Sequence, residues 1–250
     1  MKPRSRKATK VRASPRKKGG PRRIAKKDLA PYALEVLSRL KREYPDARTE
    51  LDYETPLQLL EATILSAQCT DRRVNMVTPL LFKTYPTAAA LADALPERLE
   101  EIIKSTGFFR SKTKSLIGLG KALVERHNGE VPDSMELLVN LPGVGRKTAN
   151  VVLGNAFLKN VGVVVDTHVA RVSHRLGLTR ETDPVKIEQH LMPLFPPEDW
   201  ALLSHLLIFH GRRVCEARRP KCEVCVLNDI CPSSTVTAGG GRGEEGGGDA

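Results

Sequence analysis

The sequence predicts an all-α protein, and three observations carry that expectation. From residue 29 onward, apolar residues recur at three- and four-residue spacing. Capping residues, prolines and glycines interrupt that pattern at intervals suited to helices joined by short turns. VGVVV, at 161–165, is the only strand-like run, and it is too short and isolated to build a sheet.

In chain order, Asp28 stands where a cap would open a helix through Tyr44, with Ala30, Leu34, Val36, Leu37 and Leu40 as its apolar side. Thr55 and Pro56 form a cap followed by proline at the first helical position, leading into LQLLEATILSAQ. Pro96 opens ERLEEIIKS, which Gly107 closes. A long amphipathic segment runs from about Phe109 to His127. Turns at 128–132 and 142–145 separate later helices, and further helices are expected near 166–176, 184–194 and 198–209. No internal repeat is present. Residues 232–250 are a Gly-rich tail expected to be disordered.

At 250 residues, 40% of them hydrophobic, the chain can bury a core as one large domain or two modest ones. It contains no apolar run of the roughly 18 residues a membrane-spanning helix needs, and no apolar stretch follows the N-terminal charges as a secretory signal would. The net charge of +11 is unevenly spread. Residues 1–27 hold 13 of the 40 basic residues and no acid, and the tail holds one basic residue against three acids, so positions 28–231 carry 26 of each sign. The surplus lies in an arm of Lys, Arg, Pro, Ser and Gly that cannot fold. It is either a solubilising tail or a non-specific attractor of phosphate backbones. Two basic clusters also point to an anionic partner: the acid-free Lys104, Arg110, Lys112, Lys114 and Lys121, and then Arg212, Arg213, Arg218, Arg219 and Lys221 around the cysteines. Each could equally be a solvated helix face.

Four of five cysteines fall in CEARRPKCEVCVLNDIC, as Cys215, Cys222, Cys225 and Cys231. Without a secretion signal, four cysteines crowded into one loop argue against disulfides. They suit a tetrahedral metal or an iron–sulfur cluster, and the presence of only one C-x2-C pair tilts slightly to the cluster. Cys69, in an apolar helix, reads as a small buried residue. None of the six histidines has metal-ligand spacing.

LPGVGRKTAN, at 141–150, reads as a tight glycine corner between two helices. Gly143 and Gly145 permit positive φ and expose N–H groups at the positive end of the second helix, a cradle for phosphate without base recognition. Lys147 falls in the first turn of that helix, where the helix dipole disfavours the protonated amine; an amine so held can attack carbon and form a Schiff base. The plain alternative is a surface lysine contacting phosphate. In VVVDTHVARV, Asp166 ends an apolar run and opens a helix, so it can cap that helix and also place a carboxylate in a cleft to stabilise positive charge on a sugar.

LSAQCTD (65–71), LPGVGRKTAN, VDTHVARV (165–172) and the four-cysteine loop, in that order, resemble the endonuclease III family, the iron–sulfur branch of the helix-hairpin-helix DNA glycosylases. The resemblance covers about 29–231. It implies two all-α lobes: a six-helix barrel with the hairpin at 49–159, and a lobe holding a [4Fe–4S] cluster on Cys215, Cys222, Cys225 and Cys231, built from 28–48 plus 160–231. It implies a bifunctional DNA glycosylase and AP lyase of base excision repair, acting on oxidised pyrimidines flipped from damaged double-stranded DNA. Lys147 matches the nucleophile and Asp166 the essential carboxylate. Gln68 matches the residue that fills the gap left by the flipped base. Phe108 falls where the family places an apolar wedge, usually leucine, although it could instead be core. Leu141, Gly143, Val144, Gly145, Arg146, Thr148 and His168 are expected at the DNA. An aromatic content of 4% agrees with single-base extrusion rather than a stacking platform.

Three other readings compete with this one. The adenine-removing branch typically lacks the hairpin lysine and carries a further C-terminal domain, so Lys147 and the short tail count against it. A pyrimidine-dimer glycosylase shares the lysine and aspartate. A non-catalytic DNA-binding module with a structural metal would not need Lys147 and Asp166 together. A monomer without nucleotide cofactor or membrane contact is expected, in a bacterial cytoplasm at the nucleoid, with a nuclear address as the alternative.

Overall fold

In the computed structural model, residues 24–236 are described; residues 1–23 of the basic arm and 237–250 of the Gly-rich tail lie outside the described residues. Among the described residues there are twelve α-helices and no strand. They are α1 (Leu29–Glu43), α2 (Pro56–Leu65), α3 (Asp71–Asn75), α4 (Thr78–Thr84), α5 (Ala88–Ala92), α6 (Pro96–Ile103), α7 (Phe109–His127), α8 (Met135–Leu138), α9 (Arg146–Ala156), α10 (Thr167–Arg175), α11 (Pro184–Leu191) and α12 (Trp200–Arg213).

Side-chain oxygens start many of these helices by accepting a first-turn N–H. Thr55 accepts from Gln58, Thr70 from Arg73, Thr87 from Ala90, Ser134 from Leu137 and Asp183 from Lys186. Asp28 occupies the cap position of α1, but its side chain makes no cap bond. A 3-10 turn, Lys26–Asp28, already leads the backbone into the helix in αR geometry. The amphipathic stretch expected from Phe109 is α7, whose Leu116, Leu119 and Leu123 are fully buried. Each such burial contributes about 1.5–3 kcal/mol.

Two hydrophobic cores result. One joins side chains from Leu51 to Leu153, contributed by α2 through α9. The other joins α1 with Val163, α10, α11, α12 and Leu227. The described residues thus start in the second core, build the first, and return through the extended segment 161–166. That segment is the strand-like VGVVV run. It pairs with no strand: Val163 and Val164 are buried, and the Val164 N–H donates to Ser204 Oγ at 2.9 Å. The N-terminus of α9 and the end of this segment therefore face one another where the two cores meet.

Candidate active site

Lys147 and Asp166 line one cleft of about 120 Å³ between the cores, together with Thr63, Ser66, Asp71, His205 and Arg212. Lys147 is exposed in the first turn of α9. Asp166 caps α10: its Oδ1 accepts from the N–H groups of His168 and Val169, both at 2.8 Å, and its Oδ2 lies 3.1 Å from His168 Nδ1. Three contacts leave this carboxylate little freedom to turn. Across the cleft, Arg212 bridges Glu50 and Asp71. A larger open groove of about 1110 Å³ lies beside it, lined by Asp46, Glu50, Asp52, Glu54 and Asp71 together with Arg48, Arg72 and Arg213, and it holds neither Lys147 nor Asp166. The smaller cleft is the one with reactive groups.

The hairpin between α8 and α9 has the expected helix-turn-helix form. Gly143 has φ +80°, and a Cβ there would lie 2.7 Å from Ser115 Cβ, so both backbone and space require glycine. Gly145 has ordinary extended geometry (φ −94°) and caps α9 without a side chain. The first intrahelical bond runs from Ala149 N–H to Gly145 O, so the N–H groups of Arg146, Lys147 and Thr148 have no helical acceptor. They form the anion cradle inferred from the glycines. Leu141 and Val144, expected at the DNA, have buried side chains in the first core, which leaves only their backbone to face outward.

Gln68 and Phe108 are both exposed and both adopt left-handed backbone, with φ +54° and +47°. Helix α2 ends at Leu65, so Gln68 rides on the following turn rather than in the helix. Phe108, 65% exposed, sits at the start of α7 and is not core. Cys69 is half-buried in the same turn as Gln68, not in a helix.

The basic clusters need correction. Lys104, Arg110, Lys114 and Lys121 are exposed, but Lys112 is buried, its ammonium 2.8 Å from both Leu65 O and Thr106 O. Burial pushes its pKa below the ordinary lysine value. In the second cluster Arg212 is spent on Glu50 and Asp71, Arg213 stacks on Phe209 with its guanidinium 4.1 Å from the ring centroid, and Lys221 pairs with Glu216. Only Arg218 and Arg219 remain exposed without an ion-pair partner among the described residues.

All four loop cysteines, with Arg175 and His210, line a small cavity of about 40 Å³. Among the described residues no three His, Cys, Asp or Glu side chains stand close enough to hold one metal ion. Thiols ringing a cavity, rather than meeting at a point, fit a multi-iron cluster better than tetrahedral zinc. Burial first, and then the neighbouring cysteines, push Cys225 up to about 11 and Cys231 upward as well, so these two thiols need a cationic centre to ionise. Arg175 Nη1 reaches Cys215 Sγ at 3.3 Å, and His210 Nε2 lies 3.6 Å from Cys225 Sγ.

A hairpin whose second helix opens on three N–H groups without helical acceptors, a lysine and aspartate sharing a cleft, and a four-cysteine cavity define a helix-hairpin-helix DNA repair protein. Residues 62–197 match the HhH-GPD superfamily of base excision DNA repair proteins, and residues 215–231 match the iron–sulfur binding domain of endonuclease III. Endonuclease III of Synechocystis sp. is 57% identical over 205 residues, covering 82% of this chain and 94% of that protein. The Escherichia coli K12 endonuclease III is 41% identical over 198 residues, covering 79% of this chain and 93% of that protein. A solved non-covalent endonuclease III–DNA complex superposes with a TM-score of 0.78 at 41% identity, over 82% of this chain and 95% of that one. A trapped endonuclease III–DNA covalent intermediate matches equally, with TM-score 0.78 over 84% and 97%. The chain belongs to the endonuclease III family, and with it to the base excision repair DNA glycosylases and AP lyases that carry a [4Fe–4S] cluster.

Proposed function

We propose that this chain removes oxidised pyrimidines from damaged duplex DNA and nicks the strand 3′ to the resulting abasic site. The observation that carries the reading is the convergence of Lys147 and Asp166 on one cleft from separate helices. The N–H groups that open α9 hold a phosphate beside the lesion. Gln68 fills the space vacated by the extruded nucleotide, and Phe108 wedges the stack. Gly143, Gly145, Arg146, Thr148 and His168 lie around this track.

The neutral amine of Lys147 attacks C1′ of the sugar. The C1′–N1 bond breaks, and the base leaves with the bonding pair and takes up a proton. The sugar ring then opens, O4′ accepts a proton, nitrogen loses one, and a C1′=Nζ Schiff base remains. Removal of a C2′ proton breaks the C3′–O bond and expels the 3′ phosphate, and water hydrolyses the imine. Asp166, oriented by two amides and His168, stabilises positive charge developing on the sugar. Cys215, Cys222, Cys225 and Cys231 hold the cluster, which supplies a structural cross-link for the loop presenting Arg218 and Arg219 to phosphates. The two hydrophobic cores support a division into 28–48 plus 160–231 and 49–159. The bacterial relatives support action at a bacterial nucleoid, and the chain acts there as a monomer.

Borohydride trapping on duplex DNA with one thymine glycol tests this. Wild type should form a covalent adduct and Lys147→Ala should form none while still binding duplex. An adduct only on a plain abasic site would keep the lyase and refute the oxidised-pyrimidine substrate. No adduct on either would refute the mechanism.

A further inference from the structure

Helix α12 brings to the cleft a polar side chain that neither the Schiff-base chemistry nor the fold uses fully. Helix α12 turns Ser204, His205, Ile208 and Arg212 toward the cleft that holds Lys147 and Asp166. Ser204 is committed, accepting from Val164 N–H and donating to Trp200 O. Arg212 is committed to Glu50 and Asp71. His205 is committed through one nitrogen only: its Nε2 lies 2.9 Å from Asn155 Oδ1.

That single contact defines the tautomer. Asn155 Nδ2 donates to Val151 O at 2.8 Å, so the amide oxygen is the atom that faces the histidine, and it can only accept. His205 Nε2 must therefore carry a proton. Burial lowers the ring's pKa to about 4, so near neutral pH the ring has no second proton. Nδ1 then offers a bare lone pair, because the ring's hydrogen bond among the described residues is the one at Nε2.

We propose that His205 reads the extruded base, its Nδ1 accepting a hydrogen bond from an N–H on the pairing edge of a damaged pyrimidine. This rests on the pyrimidine-removing function proposed above and deepens it. Thymine-derived lesions present a ring N3–H, and cytosine-derived lesions present an exocyclic amine. An acceptor suits both, whereas an imidazolium or the opposite tautomer would turn an N–H against the N3–H. A site arranged this way admits several oxidised pyrimidines while still requiring a donor at that edge. The bond exists only while the base is attached. His205 therefore contributes to base removal and not to β-elimination at a site that has already lost its base.

The experiment compares single-turnover removal of 5,6-dihydrothymine with β-elimination at a preformed abasic site in the same duplex, using holoenzyme. His205→Phe keeps the ring volume and removes the acceptor. It should slow base removal about ten- to hundredfold and leave abasic-site cleavage within about twofold. His205→Gln, able to donate to Asn155 and present an oxygen, should recover part of the loss. N3-methyl-5,6-dihydrothymine, which lacks the donor, should be removed by wild type more slowly by a similar factor, with no further loss in His205→Phe. Where His205→Phe fails to fold, His205→Gln makes the same comparison: whatever loss it shows on 5,6-dihydrothymine should disappear on the N3-methyl substrate. Equal loss of both activities, no loss, or additive effects of N3-methylation and His205→Phe would overturn the assignment. Failure of wild type to cleave the abasic site would instead refute the Lys147 mechanism, a separate outcome.

Discussion

The ammonium of Lys112 lies 2.8 Å from the carbonyl oxygen of Leu65, where helix α2 ends. The same ammonium lies 2.8 Å from Thr106 O, in the turn just before Gly107 and Phe108. One buried side chain thus ties the end of α2, from which the Gln68 turn departs, to the start of the Phe108 segment. Both carbonyls belong to helix ends and have no helical donor of their own.

Lys112→Met keeps much of the apolar stem and removes the donor. Two buried carbonyls left without a partner cost about 1–3 kcal/mol, and a chain of this size loses roughly 2–4 °C of Tm per kcal/mol. The variant should melt about 2–12 °C below wild type. It should also process a lesion in duplex DNA more slowly, while cleaving an abasic site in single-stranded DNA at the wild-type rate, since no stack has to be opened there. An unchanged Tm would show that the strut carries no stability.

A second tie flanks the nucleophile. Arg146, next to Lys147, places Nε 3.0 Å from Glu188 Oε2, and Asn150 Nδ2 lies 3.1 Å from Glu188 Oε1. Glu188 is a side chain of the second core, only 5% exposed, and it reaches across to the first turns of α9. A Cβ on Gly162 would lie 2.0 Å from Glu188 Oε1, so this glycine is required by close approach rather than by its φ. Gly162→Ala should therefore destabilise by about 1–3 kcal/mol. Glu188→Ala should cost a similar amount, because Arg146 is half exposed and water takes over part of its solvation. Once Glu188 is gone the alanine Cβ has room, so the double variant should be little worse than Glu188→Ala alone. Denaturant melts of the four proteins measure this coupling, and simple additivity would refute the clash.

Features read most easily in the sequence were those encoded locally. Thr55–Pro56 starts α2, the 109–127 periodicity is α7, and the cysteine spacing marks the cluster loop. The capping role of Asp166 is legible because it depends on the few residues after it, whereas its place in the cleft depends on α9 and α12 packing around it. Helices α3, α4 and α5 have five to seven residues, too few turns to show a period, and were not resolved in the sequence. Lys112 looks in the sequence like part of a charged cluster because its acceptors, Leu65 O and Thr106 O, are main-chain atoms that leave no sequence signal. Arg212 and Arg213 look the same, because their partners Glu50, Asp71 and Phe209 are brought to them only by the fold. His205 carried no signal at all: Asn155 stands 50 residues away, and only tertiary packing pairs them.

Glu61 makes stability depend on pH. It lies in α2 between Leu60 and Ala62, is 1% exposed, and neither carboxyl oxygen has a hydrogen-bond partner among the described residues. Burial raises its pKa from the ordinary 4.5 to about 8. Between those values the folded chain keeps the proton while the unfolded chain releases it. The folded state therefore binds more protons, and stability falls as pH rises. The contribution is complete below pH 4.5, shrinks by about 1.4 kcal/mol per pH unit, and is lost once pH passes about 8. Glu61→Gln keeps the shape and cannot ionise. Its stability relative to wild type should be near zero at pH 5, rise steadily to a few kcal/mol by about pH 8, and level off beyond. Urea melts of both proteins across that range measure the difference; a gap that does not change with pH would mean that Glu61 is charged and partnered in the folded protein.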